Sequence, residues 1–274
     1  MKNTSKREIC VTIDLEDYRR TKKTGQKPYR ETTSIILQWL KEKKIRATFF
    51  VVGQLAEESP ELIEKISLNH DIAFHSFDHA LLTDESIDTF VVKTEKSKKF
   101  IEDITGKKII GFRAPCFSLI PQTLWVTKIL SELGFEYSSS TIPTKLPKFG
   151  FPGIPETPFK WESGLIEFPM VLSNFYGKRI PSIGGAYLRF FPIWFTLKTL
   201  NKEGLRWTYL HPQDIYMRNG FNIVKGLNFF QSIAYHYNRK KTLVNLEALL
   251  QCHEVVSLEC YLQNIKKALL PKFK

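Results

Sequence analysis

ICVTIDLE, residues 9 to 16, alternates Ile9, Val11, Ile13 and Leu15 with Cys10, Thr12, Asp14 and Glu16. A period of two is the mark of a β-strand, and it sets both acids on one face near the strand's end. Helical periodicity follows in TSIILQWLKEKK (33 to 44), and RATFFVVG (46 to 53) is an apolar strand closed by Gly53. SPELIEKISLNH (59 to 70) opens on a capping serine with proline at the first helical position, ahead of the strand DIAFHS (71 to 76). A long helix from about Glu85 to Thr105 should stop at Gly106. Next come the strand IIGFRAP (109 to 115), the helix PQTLWVTKILSELG (121 to 134) and the short strand FEYSSS (135 to 140). Strands alternating with helices predict right-handed βαβ units on a parallel sheet, so the fold class is α/β.

Beyond Thr141 the rhythm lapses. Residues 141 to 185 are rich in proline and glycine, and so long an irregular stretch is more often a functional loop or insertion than a linker. A helix around 192 to 203, the strand RWTYLHP (206 to 212), helical segments around 220 to 238 and 241 to 251, and a last strand EVVSLECYL (254 to 262) complete the outline. No domain boundary stands out, and the 274 residues suit one α/β barrel.

Composition narrows the classes. The apolar fraction of 43% and aromatic fraction of 13% suit a folded chain with a substantial core. Forty basic against 28 acidic residues give +12, which favours anionic partners such as phosphates or an anionic membrane surface, or is simply a solvated basic face. Nucleic acid ranks last, because no recognition module accompanies the charge. Cys10, Cys116, Cys252 and Cys260 form neither a CxxC pair nor a disulfide-rich spacing, which fits reduced thiols. MKNTSKREICVTIDL has no apolar leader, so the cytoplasm is expected. No window approaches the roughly 20 apolar residues of a membrane span. The richest, LRFFPIWFTLKTL (188 to 200), is broken by Pro192 and Lys198 and reads as a buried helix or a peripheral membrane contact.

The chemistry gathers at strand ends, the rim where α/β barrels hold their reactive groups. In HSFDH, His75 and His79 stand four apart, a spacing that puts both imidazoles on one side of a helical turn and within reach of one ion. DLED (14 to 17) packs three carboxylates into four residues, which repel one another unless solvated or neutralised by a cation. Arg113 ends another strand and can hold a carboxylate ionised, the alternative being a surface salt bridge. His211 ends YLHP; on its own a hydrogen-bonded core histidine is the better reading.

Taken together, these stretches resemble the polysaccharide deacetylases of carbohydrate esterase family 4. Thr12-Ile13-Asp14 is similar to that family's TFDD motif, HSFDH to H(S/T)xxH, FRAPCFS to RxPxxF/Y, and YLHP to LxH. DLEDY, GFEYSSS, GGAYLR and LHP resemble the branch found with exopolysaccharide and exosortase loci, whose motifs read DVEDY, GYxYDSS, GGxYxR and LHP. The resemblance implies a distorted (β/α)7 barrel as a single domain spanning 1–274. It implies a hydrolase that removes N-acetyl groups from a sugar in a glycan or glycan precursor, using one divalent ion, foremost Zn2+, with Co2+, Ni2+ or Mn2+ compatible. His75 and His79 would be ligands, Asp14 the general base, Arg113 its support and His211 the general acid. The third ligand falls to Asp17 on the wider loop pattern, with Glu16, on the face of Asp14, as the alternative.

Phe117, Tyr187 and Trp207 head a set of aromatics, with Tyr137, Trp161 and Phe175, that could line a sugar subsite or merely pack. Lipid-linked or nucleotide-linked sugars are the substrates expected inside a cell. Hydrolysis of another amide on the same barrel, as in allantoinase-like relatives, and a non-catalytic glycan-binding barrel are the competing readings. The branch's aspartate in GYxYDSS is Ser138 here, and the family's DxxDW element is not evident, so the group that tunes His211 is unassigned at this level.

Overall fold

The alternation at residues 9 to 16 forms β1 (Glu8–Leu15) in a computed structural model, which describes residues 7–17, 28–146, 149–200, 205–215, 229–251, 253–266 and 269–273. Every residue of β1 after Glu8 is buried, because both of its faces are covered. Ile9, Val11, Ile13 and Leu15 join the larger apolar cluster, to which α1 (Pro28–Lys43) and α3 (Pro60–Ser67) contribute Ile36, Leu40, Ile63 and Ile66. Cys10 belongs to a second, inner cluster with Phe50, Ala73, Tyr137, Trp207 and Tyr209. Two apolar layers separated by strands are what a barrel requires, one between strands and helices and one inside.

The strands after β1 are β2 (Thr48–Val51), β3 (Asp71–Phe74), β4 (Gly111–Phe112), β5 (Tyr137–Ser138), β6 (Phe159–Trp161), β7 (Ile166–Glu167), β8 (Ser173–Phe175), β9 (Lys178–Ile180), β10 (Arg206–Leu210), β11 (Glu254–Val256) and β12 (Lys272–Phe273). Between them lie α2 (Gly53–Glu58), α4 (Ile87–Thr105), α5 (Trp125–Glu132), α6 (Tyr187–Phe190), α7 (Ile193–Leu200), α8 (Phe229–His236), α9 (Thr242–Leu250) and α10 (Leu258–Ile265). Among the described residues the central sheet runs β10-β1-β2-β3-β4-β5-β7-β6-β12, with β11 also on β1, and only the β6–β7 pair in it is antiparallel. This is the expected single-domain distorted (β/α)7 barrel.

Three expectations need correction. EVVSLECYL is a strand only to Val256; Ser257 then caps α10 by accepting a hydrogen bond from the Cys260 N–H at 3.3 Å. Leu258 and Leu262, one helical turn apart, pack into the inner cluster and seal the barrel's lower end. The stretch from 141 to 185 is also less irregular than its proline and glycine content suggests, since it supplies β6 and β7 to the central sheet and the β8–β9 hairpin beside it. And α1 begins at Pro28, five residues before the predicted start, while the first part of the 220 to 238 segment and Cys252 lie outside the described residues.

Candidate active site

In-register parallel pairing carries the chemistry to one level. Ile13 pairs with Leu210, Phe74 with Phe112 and Phe112 with Ser138. One residue further along each strand therefore lie Asp14 and His211, His75 and Arg113, and Arg113 and Ser139, side by side at the same rim. A parallel sheet aligns like ends, so residues more than a hundred positions apart meet without any special loop.

Arg113 is fully buried, which removes the surface salt-bridge reading. Its Nη1 donates to Asp14 Oδ1 at 2.6 Å and to Thr12 Oγ1 at 2.8 Å, while Nε and Nη2 reach the carbonyl and hydroxyl of Ser139 at 3.2 and 3.1 Å. The guanidinium also stacks 3.9 Å from the Phe50 ring centre and 4.5 Å from that of Trp207. Burial works to raise the Asp14 pKa, but Arg113, with His75 and His211, outweighs it and leaves the carboxyl below its ordinary value. Asp14 is thus an ionised carboxylate with Oδ1 committed to Arg113.

His75 Nδ1 lies 2.8 Å from the Arg113 carbonyl oxygen, an acceptor, so Nδ1 carries the proton and Nε2 is left with its lone pair. Burial pushes its pKa down to about 4, so the ring is neutral near pH 7. The turn to His79 is not helical. Ser76 and His79 both take left-handed φ values of about 60°, and the Ser76 and Phe77 carbonyls accept hydrogen bonds from Gly53 and Gln54. A doubled-back loop, rather than a helical turn, brings the second ring to 5.1 Å from the first. Asp78, between the rings in sequence, ties this loop to α4 through Lys93 at 2.8 Å.

Glu16, His75 and His79 each offer a ligand atom, all within 4.8 Å of one another. Two imidazoles and a carboxylate, one ring neutral with a fixed tautomer, fit a zinc-like divalent ion. The acid that stands with the two rings is Glu16, the alternative, and not the preferred Asp17. Alternation along β1 keeps Glu16 on the inward face of Asp14, and it is 3% exposed, with His79 Nε2 against its Oε2. Asp17 is one residue out of phase and instead lines, with Glu16, Tyr29, Gln54, Glu58 and His79, a cleft of about 290 Å3 next to the rings.

His211 stands at the opposite side of the same carboxylates, its Nε2 3.3 Å from Glu16 Oε1 and 3.8 Å from Asp14 Oδ2. The partner that sequence reasoning missed is Asp214. Its Oδ2 accepts from His211 Nδ1 and from the His211 backbone N–H, both at 2.9 Å. Asp214 Oδ1 is in turn held by the buried Arg189 at 2.8 Å. Burial disfavours the charged ring, but Glu16, Asp214 and Asp14 outweigh it and raise His211 to about 9, while Asp214 falls to about 2. The HPQD spacing, with Pro212 opening a short helical turn that brings Asp214 back to its own N-cap, was the legible clue.

A second missed carboxylate, Glu167, organises the rim without facing the site. It accepts from the backbone N–H groups of Ser140 and Thr141 at 2.7 and 3.0 Å and from Trp161 Nε1 at 3.3 Å. Ser138, where the branch has aspartate, donates to Ser140 Oγ at 2.7 Å and belongs to this scaffold. Of the expected subsite aromatics, Phe117 is half-buried against Tyr209 and Arg113, and Tyr187 is 39% exposed. Trp207 is 1% exposed inside the barrel, with its Nε1 on the Pro169 carbonyl at 3.1 Å. It supports Arg113 from below and is not placed to touch a sugar. Tyr137 and Trp161 are likewise core.

The chain matches the family described as "Polysaccharide deacetylase" over residues 1–138, and "Domain of unknown function (DUF3473)" over 139–263. The two matches meet at the end of β5, and each supplies strands to the same sheet. The protein belongs to the polysaccharide deacetylase family. Among curated relatives, a chitooligosaccharide deacetylase of Azorhizobium caulinodans is 31% identical over 38% of this chain and 48% of its own length. The peptidoglycan-N-acetylglucosamine deacetylase PgdA of Listeria monocytogenes is 27% identical over 46% of this chain and 26% of its own. The chain thus spans half or less of the length of these relatives. A crystal structure from Mycobacterium smegmatis, described as a polysaccharide deacetylase, superposes with a TM-score of 0.66 at 18% identity, covering 100% of this chain and 95% of that one. Among the described residues, no helix is long and apolar enough to cross a membrane.

Proposed function

We propose that this protein removes N-acetyl groups from N-acetylated sugars in a glycan or a glycan precursor, with Glu16, His75 and His79 holding a divalent ion. The observation that carries this reading is the convergence of an ionised Asp14, a protonated His211 and the Glu16–His75–His79 donor set on one rim. The names of the Azorhizobium and Listeria relatives support an acetylated amino sugar as the substrate class. A lipid-linked or nucleotide-linked sugar is the finer form of the same proposal.

When bound, the ion supplies Lewis-acid polarisation of the amide carbonyl and acidifies a water beside it. Asp14, its Oδ1 fixed by Arg113, would take the proton of the attacking water through Oδ2. An amine anion is too poor a leaving group to depart, so His211 Nε2 gives its proton to the sugar nitrogen as the C–N bond breaks, leaving acetate and a free amine. Asp214 fixes the tautomer by holding Nδ1 and stabilises the charged ring. Glu16, if engaged by a cation, would give up its share of that support, whereas Asp214 would keep its own.

Acetate release from N-acetylated oligosaccharides, set against ring opening of unrelated cyclic amides to a new carboxylate, tests the reaction. Wild type should release acetate, and Asp14→Asn should keep its metal while losing activity by roughly 10²- to 10⁴-fold, the usual worth of general base catalysis. Full activity in that variant removes Asp14 from the mechanism.

A further inference from the structure

The net charge of +12 is not spread evenly. Residues 168–202 and 215–246 together contain ten lysines and arginines and no aspartate or glutamate; the rest of the chain holds 30 basic and 28 acidic residues, close to balance. The described parts of these two segments are β8, β9, α6, α7, α8 and the start of α9, and they are neighbours in space. Phe175 of the hairpin lies 5.2 and 5.5 Å from Phe191 and Phe195, and Phe190 of α6 stacks on Tyr237, just past α8, at 4.9 Å.

This shared face is also where large apolar side chains are left in solvent. Tyr176 at the hairpin tip is 92% exposed, Trp194 65% and Phe229 53%, with Phe190 and Tyr237 nearly half exposed. Lys178, Lys198, Lys240 and Lys241 are exposed beside them, and Lys198 shares the α7 face of Trp194 at i, i+4. Glu156 pairs with Arg179 of β9 at 2.7 Å, and the two segments themselves add no acid; aromatics ringed by lysine are the composition of an interfacial membrane surface rather than of a sugar groove. The opposite face of α6 carries Arg189 to Asp214, so one short helix separates this surface from the partner of His211.

We propose that the face formed by the β8–β9 hairpin, α6, α7 and α8 docks on an anionic lipid bilayer, bringing the rim of the barrel to glycan at the membrane surface. The aromatics sink to headgroup depth, and the lysines meet lipid phosphates, each lysine contributing roughly fivefold in partition. The charge complementarity selects the bilayer over a second copy of this chain, whose matching face would be equally positive.

Flotation of the full-length chain with phosphatidylcholine vesicles, and with vesicles that also contain phosphatidylglycerol, tests the docking without any hydrolysis. Its failure would leave the deacetylation reading untouched. Wild type should partition onto the anionic vesicles at least about tenfold better, and high salt should release it. Two double variants, Tyr176→Ala with Trp194→Ala and Lys240→Glu with Lys241→Glu, should each cut that partition by about tenfold or more with unchanged thermal unfolding. The proposal is overturned if wild type ignores anionic vesicles, if either correctly folded double variant binds as wild type does, or if the face proves to join two copies that Trp194→Ala separates in the absence of lipid.

Discussion

At the scale of the residue, a one-position question had two answers in the sequence. Glu16 and Asp17 are adjacent acids, and only the pleat of β1 distinguishes them, by turning Glu16 inward and Asp17 toward the cleft. Metal analysis of purified variants should therefore give near-stoichiometric metal for Asp17→Asn and a deep loss for Glu16→Gln and His75→Ala. Retention by Glu16→Gln with loss from Asp17→Asn would reverse the assignment. The His211–Asp214 pair makes a second prediction. Removing the charge of Asp214 lowers the pKa of His211, so in Asp214→Asn the alkaline limb of the pH–rate profile should move to lower pH while the acid limb, set by Asp14, stays in place. An unmoved alkaline limb would assign the proton donor elsewhere. Asp14, His75, Arg113 and His211 were legible because each stands at or just past a strand end, and His79 because it lies four residues after His75 in a short recognisable motif. Asp214 left one local clue, the HPQD spacing, and Arg189 left none, because its meaning depends on a contact across 25 positions.

At the scale of the element, local sequence misled where two periods overlap. LECYLQNI has apolar residues that read as strand or helix, and the helix wins because Ser257 caps it and Leu258 and Leu262 fill the barrel's lower mouth. Ser257→Ala should cost about 1 kcal/mol in urea unfolding, the usual value of a lost N-cap. No change would mean that the cap is idle. The glycine pair before α6 offers a sharper test. A Cβ at Gly184 would sit 2.3 Å from the Tyr209 ring, which is buried directly below His211, and the Gly185 N–H donates to the Tyr209 carbonyl at 2.7 Å. Gly184→Ala should thus destabilise by about 1–3 kcal/mol through overpacking. Its activity should fall further than that of Ser257→Ala, because the strain is delivered to β10 at the site. Equal activity in the two variants would separate the glycine loop from the rim.

At the scale of the whole molecule, the two ends of the barrel titrate differently. Glu259, on α10 at the lower end, is raised to about 7 by burial first and then by Asp71 and Glu136, against Arg46 and Lys107. A carboxyl whose folded pKa lies above its unfolded value gives stability that is present below about 4.5 and lost as pH rises through about 7. Glu259→Gln should flatten that decline, leaving the variant more stable than wild type by about 1 kcal/mol near pH 8, a figure discounted for the group's partial exposure. A parallel decline in thermal midpoint for both proteins would assign the slope to other groups. The sequence by itself determined the α/β class, the strand ends at which the candidate groups gather and five of the residues that meet there, since strand and helix periods and strand-end motifs are written in neighbouring residues. Only the tertiary structure decided which acid joins the histidines, what holds His211 and how the late segment closes the barrel. Those choices are made by side chains meeting across the parallel register and inside the core, where proximity is set by packing and burial and not by distance along the chain.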